Sequence, residues 1–230
     1  MLHSDNQGLV LPPRVAPTQV AIIPIHFKKK IELVNEKAEW LYQTLKASGI
    51  RVMFDNRPYN PGWKFNDHEL HGVPLKVELG PRDVENNKVV IGRRDKPNKE
   101  DKITLDMDDN LCDNVKKILE EMQDALFQKA KEACDNQTIE VTKWEDFVPA
   151  LNQKCRVLAP WCEAVECENQ IKKKSKEESE VTTGEETSTL TGAAKSLCIP
   201  FEQKPLPEGA VCFCGCGAPA KSWTLFGRSY

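Results

Sequence analysis

The sequence predicts an α/β domain built on a mixed sheet, followed by a small α+β unit clamped through cysteines. Three observations carry this. Near the start, the apolar run Gln19 to Pro24 is followed by Val34, Ala38, Leu41 and Leu45 at helical spacing, and then by the apolar run Ile50 to Phe54. That is a strand–helix–strand unit, with Gly49 as the helix stop. Further on, Val115, Ile118, Leu119, Met122, Ala125 and Leu126 fall on one face of a long helix. Finally, three cysteines crowd into Cys212-Phe213-Cys214-Gly215-Cys216, with Cys162 and Cys167 as a second close pair upstream.

The remaining elements follow in chain order. Leu11-Pro12-Pro13-Arg14 and Pro17 enforce extended backbone, so residues 1–17 read as a connector. Pro58 to Gly72 is rich in Pro, Gly and aromatics and reads as an ordered loop. Val73 to Leu79 and Lys88 to Gly92 are expected strands, parted by a turn at Gly80-Pro81-Arg82-Asp83. Lys102 to Leu105 is a further strand, and Asp108, Asp109 and Asn110 are candidates to cap the long helix. Thr142 and Glu145 have capping-box spacing and open a short helix with Trp144, Phe147 and Leu151 inward. Lys172 to Thr191 is polar without periodicity and reads as a disordered loop. Ser196 to Phe201 and Trp223 to Phe226 are the last expected strands, and no internal repeat is visible.

With 230 residues, the chain has room for one large domain or two small ones. No apolar run approaches the roughly 20 residues that span a membrane. Val10 to Lys102 carries 17 Lys/Arg against 12 Asp/Glu, and the remainder 15 against 23, so a +5 stretch adjoins a −8 stretch. A basic half permits a polyanion surface, although ordinary solvated charge accounts for it equally well. The first residues lack a basic region followed by an apolar one, and nine cysteines make an odd count. Both point to a reducing compartment, where close cysteines signal metal rather than disulfides.

Cys162-x4-Cys167 with Cys212-x-Cys214 supplies four thiolates for a tetrahedral zinc site. The spacings lie outside the common finger patterns, so free thiols or a broken site stay open, and Cys216 rivals Cys214 because Gly217 also suits a knuckle turn. Cys112, Cys134, Cys155 and Cys198 sit in apolar or helical settings and read as packing residues. His68-Glu69-Leu70-His71 places its histidines at i and i+3 rather than i and i+4, with Gly72 and Pro74 against a helix, so no metalloprotease motif is inferred. Arg82, Arg93 and Arg94 flank a strand pair with Glu78. Arginine suits bidentate contact to phosphate or guanine, although internal ion pairs are the simpler reading of that pattern. No phosphate loop, nucleophile elbow or catalytic triad is present.

Several segments then appear in order: Gly8-Leu9-Val10-Leu11-Pro12-Pro13-Arg14-Val15-Ala16, Pro61-Gly62-Trp63-Lys64-Phe65, Glu69-x-x-Gly72-Val73-Pro74, Glu78-Leu79-Gly80-Pro81-Arg82-Asp83 and Leu225-Phe226-Gly227-Arg228-Ser229-Tyr230. Together they closely resemble the C-terminal part of prolyl-tRNA synthetase of the archaeal and eukaryotic type, over essentially the whole chain. The resemblance implies that residues 1–17 are the end of a class II catalytic domain plus connector, with that domain's last strand around His3-Ser4-Asp5. It implies a five-stranded mixed-sheet anticodon-binding domain at 18–125 and a zinc-binding-like domain at 126–230. It assigns Glu78, Arg82, Arg93 and Arg94 to anticodon contact and Cys162, Cys167, Cys212 and Cys214 to structural zinc. The sequence departs from the family by an extra residue before Pro219 and by Cys216 itself.

The implied partners are tRNA(Pro), with proline, ATP and Mg bound by motifs upstream, in a cytoplasmic homodimer. This stretch alone is then expected to recognise tRNA without activating proline, and Tyr230 is expected to fold toward the catalytic centre. Two rival readings are a free-standing RNA or protein interaction module and a redox-active cysteine unit. The match of Gly8 to Val15 to the end of a catalytic domain favours the ligase over the free-standing module.

Overall fold

Val20–Pro24 (β1) is apolar at every position and buried at every position, because it runs through the centre of a sheet covered on both faces. The computed structural model describes residues 2–26, 30–183 and 192–228, with backbone alone for 179–183. Two compact units divide the chain, Met1–Lys131 and Glu132–Tyr230.

The first unit contains β1, α1 (Ile31–Ala47), β2 (Val52–Phe54), α2 (Pro61–Leu70), β3 (Leu75–Leu79), α3 (Pro81–Glu85), β4 (Lys88–Arg93) and β5 (Ile103–Asp106). The long helix α4 (Leu111–Asn136) follows. The sheet has five strands in the order β2-β1-β3-β4-β5. β1 is parallel to both β2 and β3, while β3–β4 and β4–β5 are antiparallel. The mixed sheet expected from the sequence is therefore present. Val20, Ile22, Leu75, Val77, Val89 and Ile91 face one way and pack with Ala38, Leu41 and Leu45 of α1 and Val115, Ile118 and Leu119 of α4. Asp108 accepts from the backbone N–H of Asn110, and its carbonyl from Leu111, at the start of α4.

Five expectations need correction. Pro58 to Gly72 is not a loop throughout, since residues 61–70 are helical. Asn60 Oδ1 accepts from the Trp63 N–H at 2.8 Å, and Pro61 opens the first turn. Pro and Gly there were start signals, and proline costs nothing where its N–H would have no partner. The turn at Gly80-Pro81-Arg82-Asp83 continues into the short helix α3, with Asp83 accepting from the Gly80 N–H. The Thr142–Glu145 capping box does not form: α5 (Trp144–Asn152) starts after Lys143 without a side-chain cap. The expected disordered run Lys172–Thr191 is helical through Thr183 as part of α6 (Val165–Thr183), and residues 184–191 lie outside the description. Its buried stripe is narrow, Cys167, Ile171 and Ser175 at i, i+4 and i+8, which composition alone conceals. Around His3-Ser4-Asp5, only an isolated bridge Asp5–Gly8 stands where a strand was expected.

The second unit carries β6 (Thr138–Glu140), α5, β7 (Arg156–Trp161), α6, β8 (Lys195–Cys198) and β9 (Ser222–Gly227). Its sheet runs β6-β7-β9-β8, with β6–β7 parallel and the others antiparallel. Phe147, Phe213 and Phe226 meet at its centre with centroid separations of 4.7 to 5.7 Å.

A buried charge organises the first unit. Asp55, just after β2, is fully buried and accepts from Arg57 Nε and Nη2 at 2.9 and 2.7 Å. His68 Nε2 lies 2.9 Å from Oδ2, the oxygen that also accepts from Arg57 Nη2, and buried Lys64 donates to the Asp55 carbonyl at 2.8 Å. Burial alone would raise the Asp55 carboxyl, but Arg57 and His68 outweigh it and hold the pKa down at about 2, against an ordinary 3.8. Burial pushes the His68 pKa down despite Asp55 beside it, so a neutral imidazole suits this site. Because the folded pKa is the lower one, this stabilisation is complete above about pH 4 and fades as pH falls toward 2. Asp55→Asn, which leaves buried Lys64 without its carboxylate and Arg57 with Asp67 alone, is expected to cost about 3–5 kcal/mol. Urea unfolding at neutral pH checks this, and a loss under 1 kcal/mol would demote Asp55 to a bystander.

Candidate nucleic-acid interface and metal centre

Parallel strands β2, β1 and β3 all end on one edge of the sheet, where the chain leaves β1 by a crossover to β2 on one side and leaves β3 for antiparallel β4 on the other. Ligands of open α/β sheets bind outside such carboxyl ends. Glu78 is the penultimate residue of β3 and Arg82 lies in the first turn of α3, so both stand at this edge. Glu78 is ion-paired with Lys102, and Arg82 is exposed.

Arg93 and Arg94 stand elsewhere. β4 runs antiparallel to β3, so Arg93 pairs with Leu75, at the far end of β3 from Leu79. That is about 13 Å along the strand. Arg93 also shares the face of Val89 and Ile91, toward α4, where Glu121 lies 3.8 Å away, while Glu78 shares the opposite face with Lys76. Both arginines are buried and engaged. Arg93 makes a two-bond fork to Asp95 at 2.9 and 2.7 Å. Arg94 makes another to Asp5 at 2.8 and 2.6 Å, with Nε donating to the Glu69 carbonyl. The Arg94 guanidinium holds the Asp5 carboxyl well below the usual carboxylate range. The structure thus brings Glu78 and Arg82 to one edge and uses Arg93 and Arg94 inside the unit. His68 and His71 diverge as well: His68 is buried on Asp55, while exposed His71 donates from Nδ1 to the Asp67 carbonyl.

The sequence reading missed the Asp55, Arg57, Lys64 and His68 group. Asp-x-Arg at a strand end was its one local signal. Nothing local marks Lys64 as a buried lysine.

In the second unit, Cys162 follows β7, Cys167 lies in the first turn of α6, and Cys212, Cys214 and Cys216 lie on the turn preceding β9. Cys162, Cys167, Cys212 and Cys214 are buried, and Cys216 is exposed. Cys167 Sγ is 3.6 Å from Cys212 and 3.0 Å from Cys214, and Cys162 Sγ is 3.9 Å from Cys216. All nine thiols are free. The Sγ atoms of Cys162, Cys167, Cys212 and Cys216 lie within 4.8 Å of one another, so this cluster could hold a metal ion. Four sulfurs at about 2.3 Å from one ion stand about 3.8 Å apart, which 3.6 and 3.9 Å match. Burial, then neighbouring sulfurs, push the Cys167 thiol far up. Burial works against ionisation of Cys216 too, but the Ala218 N–H and nearby thiols bring it down to about 7. A cation would supply the charge these buried sulfurs lack.

Residues 19–127 match the anticodon binding domain, and residues 144–230 match the C-terminal domain of prolyl-tRNA synthetase. A putative proline–tRNA ligase of Saccharomyces cerevisiae is 45% identical over 237 residues, covering all of this chain and 34% of the relative. A cytoplasmic proline–tRNA ligase of Arabidopsis thaliana is 43% identical over all of this chain and 41% of the relative. A proline–tRNA ligase of Lachnospira eligens is 40% identical, with 100% and 43% covered. An anticodon-binding domain followed by a synthetase C-terminal domain defines the class, the non-catalytic region of an aminoacyl-tRNA synthetase. The chain belongs to the prolyl-tRNA synthetase family and spans well under half the length of these relatives. Tyr230 lies outside the described residues.

The two kinds of arginine predict different losses. Arg94→Ala removes a fully buried side chain and leaves the Glu69 carbonyl without that donor, while half-exposed Asp5 can turn to water, and is expected to cost about 1–3 kcal/mol of stability. Arg82→Ala, at an exposed position, should stay within about 0.5 kcal/mol of the parent. Urea titrations of both variants check the contrast, and equal stabilities would refute it.

Proposed function

We propose that this chain recognises proline tRNA for a proline–tRNA ligase, with Glu78 and Arg82 facing the anticodon. The observation that carries the reading is their joint place at the carboxyl edge of β3 within a matched anticodon binding domain. Arginine donates to O6 and N7 of guanine, and glutamate accepts from an exocyclic amino group. In this reading Arg93 and Arg94 hold the strands that present them. In this reading proline, ATP and Mg are ligands of the whole ligase, which works as a homodimer, and its place is the cytoplasm, the one of these properties that the name of the Arabidopsis relative carries. The 230-residue chain by itself is expected to show no proline-dependent ATP–pyrophosphate exchange.

The metal in this reading is zinc, and its role is structural: four thiolates leave no open position for a water. Cys162, Cys167 and Cys212 supply three ligands. Cys216 is favoured over Cys214 as the fourth, because the 3.0 Å between Cys214 and Cys167 is short for an edge of the tetrahedron.

Two measurements test these assignments. Arg82→Ala should weaken binding of an RNA hairpin carrying the proline anticodon by about 1–3 kcal/mol, and a hairpin with substituted anticodon guanines by much less. Equal losses on both hairpins would make Arg82 a phosphate contact. Metal analysis should find one zinc per chain, lost in Cys167→Ser and Cys216→Ser and kept in Cys214→Ser. Loss in Cys214→Ser with retention in Cys216→Ser would move the fourth ligand to Cys214.

A further inference from the structure

Tyr59 and Trp63 are exposed at 52% and 42%. Their rings lie against one another, with centroids 4.1 Å apart and planes tilted by 36°. Neither belongs to a hydrophobic core cluster, so core packing gives no account of two large rings kept at the surface. Their position is specific. Tyr59 lies in the connection leaving β2, and Trp63 in the first turn of α2, so both stand at the carboxyl edge shared by β2, β1 and β3. Glu78 and Arg82 occupy that same edge.

The pair is also held still. Arg57 Cζ lies 5.1 Å from the centre of the Trp63 ring, and its guanidinium is fixed by Asp55 and Asp67. Pro58 and Pro61 bracket Tyr59, and the Asn60 cap fixes the Trp63 backbone. A surface whose rotamers are already locked loses little conformational entropy on binding.

We propose that Tyr59 and Trp63 form a stacking shelf for an unpaired nucleobase of the bound RNA; this rests on the RNA-reading function proposed above. Every base has a π face, so such a shelf adds affinity without choosing sequence. Discrimination would remain with Glu78 and Arg82. An RNA loop that presents splayed bases at this edge meets both kinds of contact together.

The test uses the full chain and two synthetic RNA hairpins, one with the proline anticodon in its loop and one with its two guanines replaced by adenines. Tyr59→Ala and Trp63→Ala should each weaken both hairpins by the same factor, about 5- to 100-fold. The slope of affinity against salt should not change, because no cation is removed. Trp63→Phe keeps a ring and should bind within about threefold of the parent. Thermal melts of each variant separate a lost shelf from a lost fold, and Tyr59→Ala provides the independent check should Trp63→Ala unfold. Parental affinity in Tyr59→Ala and in folded Trp63→Ala, while Arg82→Ala still loses discrimination, would overturn the shelf and leave the anticodon reading standing. No hairpin binding by the parent chain would overturn both.

Discussion

A buried carboxylate at the end of β2 is the constraint on which the first unit depends. Asp55 has no access to water, so protein groups must balance its charge. Those groups arrive from two directions: Arg57 from the loop, and Lys64 and His68 from α2. Satisfying the carboxylate therefore docks α2 onto the sheet. Lys64 and His68 are polar residues on the helix face that would ordinarily be apolar, and the helix is placed by charge and hydrogen bonds as much as by hydrophobic area.

What α2 then holds is the start of the chain. The Leu70 carbonyl accepts from Leu9 and the Gly72 carbonyl from Leu11. The approach is close enough that a β-carbon on Gly72, whose φ is +73°, would stand 2.8 Å from Leu9. Arg94 completes the belt by joining Asp5 to the Glu69 carbonyl. The same arrangement frees the opposite end of α2, where Trp63 and Tyr59 meet solvent beside the carboxyl ends of the parallel strands.

The second unit solves its packing problem with sulfur and aromatic rings. Phe147, Phe213 and Phe226 form the centre, and Cys167 and Cys212 border it. Phe213 sits between two of the clustered cysteines in sequence, so one short turn supplies both a core ring and the sulfurs. Its backbone N–H donates to the Pro160 carbonyl, and Lys221 donates to the Trp161 carbonyl, which ties that turn to β7.

Much of this was legible in the sequence, for physical reasons that differ by element. β1, α1 and α4 are long or strongly periodic, and their apolar positions report burial directly. The cysteine spacing announced the cluster because thiols seldom crowd without a task. β7 was missed, since Pro160 within Arg156–Trp161 argues against a central strand, and only pairing with Trp223 and a bond to its carbonyl show how it is tolerated. The α6 helix escaped because three buried residues among many charged ones leave little periodic signal.

The sequence by itself determined the opening strand–helix–strand unit, the long helix, the mixed sheet, the cysteine-clamped second unit and the family to which the chain belongs. Only the tertiary structure decided where the four candidate recognition residues stand and which of them are paired inside the unit. Glu78, Arg82, Arg93 and Arg94 look alike in a string of letters: each is charged and each flanks a strand. Strand direction then places Arg82 at one end of β3 and Arg93 at the other, and the pleat turns Glu78 and Arg93 to opposite faces. A carboxylate already waits for each buried guanidinium, Asp95 for Arg93 and Asp5 for Arg94. Pairing partners distant in sequence, such as Asp5 and Arg94, carry no local pattern, so the fate of those charges is written in the fold alone.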